Sequence, residues 1–443
     1  MDMLGNSRVE AELDLRPLGA FQIRIIVVCA LVAMIDGFDT QAIGFMAPAI
    51  ATAWGVPSAA FGPIFGAGLF GGLLGAVGFG ALADRFGRKP GLLVSILIFS
   101  LATLATPLAS NMGELFAFRV VTGIGLGGAM PSIIALTSEY APRRIRATLV
   151  TMMFCGFPLG AAIGAVGSAH LIPAYGWQSL LVVGGVIPLF ILPIVYGVVP
   201  ESIRYLLATG RTNQASAVLF KLKMEPPTKS NSGAPKYADP FATAFAQLFK
   251  EGRATATILL WATFFLSLSL TYFLVSWIPT VAKQSGVLLE GALVGAATLN
   301  LGSIFGVLGL GRLIDRFGPY RVIALGYAAG AMSIATIGYA TTAMTLGFAT
   351  FLSGFFAIGA QMCVVALAAT YYPTRLRATG VGSAMGIGRI GGIAGPIVGG
   401  LLVGLGLSAQ GIFLFTAATA LLAAASVTLM GHLTGSRTNA ALG

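Results

Sequence analysis

In the stretch IDGFDTQAIGF, residues 35–45, two aspartates stand three positions apart inside a run that is otherwise almost wholly apolar. On a helix Asp36 and Asp39 share one face, with their side chains adjacent. Burial and like charge both favour the neutral acid, so the pair can form a proton site whose occupancy depends on what else is bound. Two arginines occupy comparable settings, Arg119 in RVVTGIGLGG and Arg389 in GIGRIGG. A desolvated guanidinium can hold a carboxylate through two parallel hydrogen bonds. Arg119 has two candidate partners, Glu114 and a helix-1 aspartate. Ionisable groups are costly at membrane depth and mark ion or substrate paths; the bland alternative for each is a structural ion pair. Read together, the four charges describe a proton-coupled site for an anion.

The elements that must position them follow from composition. The 443 residues are 56% hydrophobic and 9% charged, with mean hydropathy +0.89, whereas a globular domain carries roughly 25% charged residues. Twelve apolar runs are long enough to span a bilayer: 22–50, 58–83, 90–110, 113–139, 146–172, 176–199, 255–282, 289–312, 320–341, 344–372, 378–404 and 409–431. An all-α integral membrane protein is therefore predicted. The long connection near 200–254 contains EPPTKSNSGAPKYADP, which cannot bury a core and is expected to be flexible. Its flanks, RYLLATGRTNQASAVLFKLKM and PFATAFAQLFKEG, are candidates for surface helices.

The net charge of +11 would suggest nucleic acid in a soluble protein, but topology explains it better. Of the 26 Lys and Arg residues, 23 fall on one side if the N-terminus is cytoplasmic; Lys283 falls on the other, and Arg119 and Arg389 lie within spans. The positive-inside rule then places both termini and the long loop in the cytoplasm. Cys29, Cys155 and Cys363 give no disulfide framework. His170 and His432 cannot build a metal site. No metal and no nucleic-acid partner are expected.

An internal repeat organises the chain. GALADRFGRKP (80–90) is echoed by GRLIDRFGPYR (311–321), and PRRIRAT (142–148) by PTRLRAT (373–379). The offset is 231 in both cases, from 315 − 84 and from 373 − 142. The reading is therefore an N-terminal six-helix bundle (1–200), a cytoplasmic loop (201–254) and a C-terminal six-helix bundle (255–443), with a site between the halves near the midplane. The four buried charges are not repeated: their counterparts at 231 are Ser267, Leu270, Thr350 and Pro158. They belong to something other than the shared scaffold. GIGRIG (386–391) fits a dinucleotide fingerprint in letters alone; inside a membrane run its glycines serve close helix packing.

GALADRFGRKP resembles the loop signature of the major facilitator superfamily through Gly80, Leu82, Asp84, Arg85, Gly87, Arg88 and Lys89. The degenerate copy, the PES at 200–202 and RVVTGIGLGG extend the resemblance over the whole chain. GGIAGPIVGG (391–400) resembles the antiporter motif but lies in the eleventh run, so it does not argue for antiport. DGFDTQAIGF with the arginine of GIGRIGG is similar to the aromatic acid:proton symporter family, carriers of benzoate and hydroxybenzoate types. That resemblance implies a twelve-helix major facilitator fold of two pseudo-symmetric bundles in the bacterial inner membrane. It implies proton coupling at Asp36 and Asp39 and carboxylate binding at Arg389, with Arg119, Phe38 and Tyr272 as further substrate contacts. Asp84, Arg85, Arg88, Glu139 and Arg144 are gating candidates, with Glu139, Arg143 and Arg144 a partner set for the latch around Asp84. Partners would be a small aromatic carboxylate, protons and lipid around a monomer, with a proton gradient and no cofactor. Alternatives are a sugar or polyol symporter, another organic-anion carrier, or a drug antiporter. A membrane enzyme or receptor lacks any catalytic or signalling element here, and a channel lacks a symmetric ring of acids.

Overall fold

A computed structural model describes residues 13–14, 16–222, 224, 245–373 and 376–440. The segment EPPTKSNSGAPKYADP lies outside the described residues. Within the lipid core every backbone N–H and C=O must be satisfied inside its own segment, so apolar runs become helices. Twelve helices among the described residues have the length and composition to cross a membrane, here numbered α1 to α12. They are Ala20–Trp54, Ser58–Phe86, Arg88–Leu108, Met112–Tyr140, Arg143–Tyr175, Gln178–Val198, Ala254–Gln284, Leu289–Phe317, Pro319–Ile337, Ala343–Tyr371, Thr379–Gly404 and Ala409–Thr434. Large apolar side chains face outward, among them Phe190 at 74% and Phe348 at 68% exposure. A lipid-facing surface, not an aqueous one, accounts for them.

Several helices depart from regularity, α4, α5 and α10 among them. The α5 ladder breaks at Cys155, between Arg146–Phe154 and Gly156–Tyr175. Pro158 is the cause, since it has no N–H to give the Phe154 carbonyl. Pro131 removes a bond from α4 in the same way. In α10, residues Gly354–Ile358 form a π-helical turn. On the first flank of the long connection, Ile203–Ala208 and Thr212–Lys221 are helical. On the second, within 245–252, only 245–247 are helical and the rest is turn.

By packing, the chain forms two compact units. One comprises Met1–Thr40, Phe70–Gly160 and Leu181–Ala238; the other comprises Gln41–Leu69, Ala161–Leu180 and Asp239–Gly443. This partition cuts α1, α2, α5 and α6 and differs from a division at the repeat. The first unit's core includes Val32, Leu92, Phe99, Leu136 and Val195. The second unit's includes Leu260, Phe264, Ile323, Tyr327 and Val427.

Close helix contacts repeat at the offset read from the motifs. In the first unit a Cβ at Gly71 would overlap the Val120 carbonyl oxygen, and one at Gly75 that of Ile124. In the second, Gly302 meets Phe351 O and Gly306 meets Phe355 O in the same manner. Likewise Gly160 packs on the Met34 carbonyl, and Gly391 on that of Phe265. Every one of these residues is 231 positions from its counterpart. The duplication is thus written in backbone contacts as well as in loop motifs, with small residues admitting the neighbouring helix.

Candidate functional site

The first unit brings Asp39 and Arg119 together. Asp39 is fully buried and Arg119 is 2% exposed. Arg119 Nη1 donates to Asp39 Oδ2 at 3.2 Å, and Nη2 donates to the Asp39 carbonyl oxygen at 3.3 Å. Thr103 on α3 donates its hydroxyl to Asp39 Oδ1 at 2.9 Å. Three helices therefore converge on one carboxylate. Glu114, the other partner foreseen for Arg119, caps the start of α4: its carboxylate accepts from Ser110 N at 2.8 Å and from Asn111 Nδ2 at 2.8 Å.

Asp36, also buried, accepts from Thr40 Oγ1 at 3.0 Å. The two aspartates share a helical face but have different polar neighbours. Phe38 is half-buried, with its ring against Gly184 of α6, where an added Cβ would come within 2.7 Å of it.

Arg389 belongs to the second unit. Its helix lies on α7 through glycines: a Cβ at Gly388 would meet Phe264 Cβ at 3.3 Å, and Gly391 seats on the Phe265 carbonyl. The Tyr272 ring covers Gly392, 2.9 Å from where a Cβ would stand. Gly392 is three residues from Arg389, hence on the same side of α11. Arg389 and Tyr272 are both half-buried, so a cation and a phenol ring are offered by one helix pair. Of the glycines of GIGRIG, Gly388 and Gly391 act in close packing, as the sequence suggested, whereas Gly386 has open space beside it.

The gating candidates lie at the loop ends of the first unit, where Asp84, Arg88 and Glu139 share a cavity while Arg85 and Arg144 turn elsewhere. Asp84 and Arg88 approach to 3.6 Å as an exposed i, i+4 pair, and Arg85 lies over the Phe86 ring at 5.3 Å. Glu139 is held by the residues that follow α6. Its carboxylate accepts from Ser202 Oγ at 2.7 Å and from Arg204 N at 2.6 Å. Arg144 turns instead to the N-terminal segment, donating Nη2 to the Arg16 carbonyl at 3.2 Å. Asp84, Arg88, Glu139, Ser202, Arg204 and Tyr205 line a cavity of about 270 Å³.

Glu201 was missed as a site residue. Its Oε1 accepts from the backbone N–H of Arg88 at 2.8 Å and of Lys89 at 3.2 Å, while Tyr140 donates to its carbonyl at 2.7 Å. The carboxylate caps the start of α3, where helix-end amides and dipole favour an anion. Gly87, at φ +107°, makes the preceding turn. Glu201→Ala should lower the melting temperature of detergent-purified protein by removing a cap worth ~1 kcal/mol. Glu201→Gln, which retains an acceptor, should recover most of the loss; equal loss in both variants would refute the capping role.

A duplicated twelve-helix bundle with a buried ion pair and a further arginine within a span defines a polytopic membrane transporter. The profile of the Major Facilitator Superfamily matches residues 29–343 and 291–440. The chain is 40% identical to the 4-hydroxybenzoate transporter PcaK of Pseudomonas aeruginosa over 427 residues, 96% of this chain and 95% of that one. It is 38% identical to a gallate transporter of Pseudomonas putida, covering 95% and 94%. Among solved structures, the xylose transporter XylE of E. coli in a partially occluded inward-open conformation superposes with TM-score 0.71 at 19% identity, covering 92% of this chain and 97% of that one. The chain belongs to the major facilitator superfamily, within its aromatic acid transporter family.

Proposed function

We propose that this transporter imports an aromatic carboxylate of benzoate or hydroxybenzoate type by proton symport across a bacterial inner membrane. Both termini and the 201–254 connection face the cytoplasm, as the distribution of Lys and Arg favours. The substrate class is supported by relatives that carry 4-hydroxybenzoate and gallate. The observation that carries the coupling is the Asp39–Arg119 ion pair, buried in a span beside Asp36.

In this reading Asp36 takes a proton from outside while Asp39 stays bonded to Arg119. The substrate carboxylate is held by Arg389, with the Tyr272 ring beside it. The halves 1–200 and 255–443 then rock about the site, and acid and proton leave to the cytoplasm. Asp84, Arg85, Arg88, Glu139 and Arg144 act at the cytoplasmic gate, making and releasing charge-assisted bonds as that side closes and opens.

Cells expressing the protein should accumulate radiolabelled 4-hydroxybenzoate or benzoate, and a protonophore should reduce accumulation to equilibrium. Accumulation that survives the protonophore would remove the proton from the proposal. Uptake of glucose without uptake of any aromatic acid would select a sugar carrier.

A further inference from the structure

Gln41 and Asn300 form a reciprocal pair of side-chain amides in the second unit. Gln41 Nε2 donates to Asn300 Oδ1 at 3.0 Å, and Asn300 Nδ2 donates to Gln41 Oε1 at 2.9 Å. Asn300 Nδ2 also donates to the Ala296 carbonyl at 2.9 Å, which fixes which end of that amide is nitrogen. Both residues are buried, at 4% and 3% exposure. Gln41 follows Asp39 by two residues, roughly 200° around the helix, so it faces away from the Arg119 ion pair. The repeat does not supply the pair: 41 + 231 is Tyr272 and 300 − 231 is Leu69.

Around the pair, α1 and α2 lie against α7 and α11. A Cβ at Gly44 would be 3.0 Å from the Val275 carbonyl oxygen and 3.3 Å from Ser276 Cα. A Cβ at Gly62 would be 3.1 Å from Gly400 Cα. The Phe65 and Trp277 rings meet edge to face at 5.2 Å, and Lys283 Nζ donates to the Pro48 carbonyl at 3.4 Å. In the proposed orientation these contacts lie on the outer side. Asn300 is 300 − 289 = 11 residues into α8, roughly 16 Å, about half the hydrocarbon thickness. The amide pair is therefore a polar tie deep within this surface.

We propose that Gln41 and Asn300 are the latch that holds the outer side closed; this rests on the transporter reading above. Alternating access requires that contacts closing the outer side part when it opens. Two amides suit that task because the parted groups are hydrated by the entering water, and rejoining them leaves neither unsatisfied. An amide whose partner has been made apolar is stranded when the surface closes, and buried unsatisfied groups are costly. A single substitution therefore opens the carrier, whereas replacing both amides by apolar groups lets it close again.

The reporter is Ser276→Cys, against Gly44, in a background with Cys29, Cys155 and Cys363 replaced. Its reaction with a membrane-impermeant maleimide is timed on intact cells without substrate. Gln41→Leu and Asn300→Leu should each label about tenfold faster than the parent. The double variant Gln41→Leu/Asn300→Leu should return to the parent rate or below. The exchange Gln41→Asn/Asn300→Gln, which keeps two amides, should stay near the parent and shows that the site tolerates change. Single variants labelling at the parent rate, or a double variant faster than either single, would overturn the latch. So would a loss of substrate affinity in the singles with labelling unchanged, which would make the pair a ligand contact. Failure to transport any aromatic acid would sink the substrate reading and leave the labelling result standing.

Discussion

Asp36→Asn is expected to lose accumulation driven by an imposed pH gradient while keeping counterflow exchange within a few-fold of wild type. An asparagine can still accept the hydrogen bond from Thr40 but has no carboxyl proton to exchange. Asp39→Asn should fare differently, because it strands the Arg119 guanidinium in a fully buried position. Breaking one side of such a pair costs about 3–5 kcal/mol, a large fraction of a membrane protein's margin. We expect little folded Asp39→Asn protein and no exchange, with yield recovered but accumulation absent in Asp39→Asn/Arg119→Gln. Monodispersity in detergent and counterflow in proteoliposomes measure the two effects separately. Uphill accumulation by Asp36→Asn at equal membrane expression would exclude Asp36 as the proton carrier.

Arg389→Ala should weaken binding of a benzoate-type acid by on the order of 100-fold or more. A guanidinium holding a carboxylate makes hydrogen bonds worth roughly 1.5–3 kcal/mol each, and two are available to a planar fork. Arg389→Lys keeps the charge but loses the fork, so a large part of the loss should persist. The amide of the same acid should fail to bind wild type, since it is neutral and offers one good acceptor. Intrinsic tryptophan fluorescence of purified protein follows the titration. If Arg389→Ala binds the acid as tightly as wild type, the carboxylate is held elsewhere; Arg119, already committed to Asp39, would then have to release its partner to take it.

The sequence made the charged members of the site conspicuous because charges stand out in apolar runs. Asp36, Asp39, Arg119 and Arg389 were found for that reason, and so was the pairing of Arg119 with a helix-1 aspartate as one of two options. Uncharged polar residues carry no such signal. Thr103 binds Asp39, yet Ser100 and Thr106 on the same span turn back to their own helix at the Ile96 and Ala102 carbonyls. Letters alone cannot separate these behaviours. Gln41 and Asn300 are 259 residues apart, and only tertiary packing pairs them. Glu139 stood out by its charge, but its donors, the Ser202 hydroxyl and the Arg204 amide, lie 63 and 65 residues along the chain and are supplied by packing. The spans and their duplication were legible because length, apolarity and a shared offset survive without side-chain detail. The break in α5 was foreseeable from Pro158; the π-turn has no comparable mark in GFFAI.

That π-turn acquires meaning from its counterpart. Subtracting 231 from Gly354–Ile358 gives residues 123–127 of α4, and Pro131 denies a hydrogen bond to the carbonyl of Gly127, the last of them. Each repeat has thus interrupted the same stretch of its fourth helix, one with an imino acid and the other with a widened turn. Such interruptions are where helices bend at least cost. The two repeats place an irregularity in corresponding stretches by different means, so position along the helix, and not residue type, is what the two copies share.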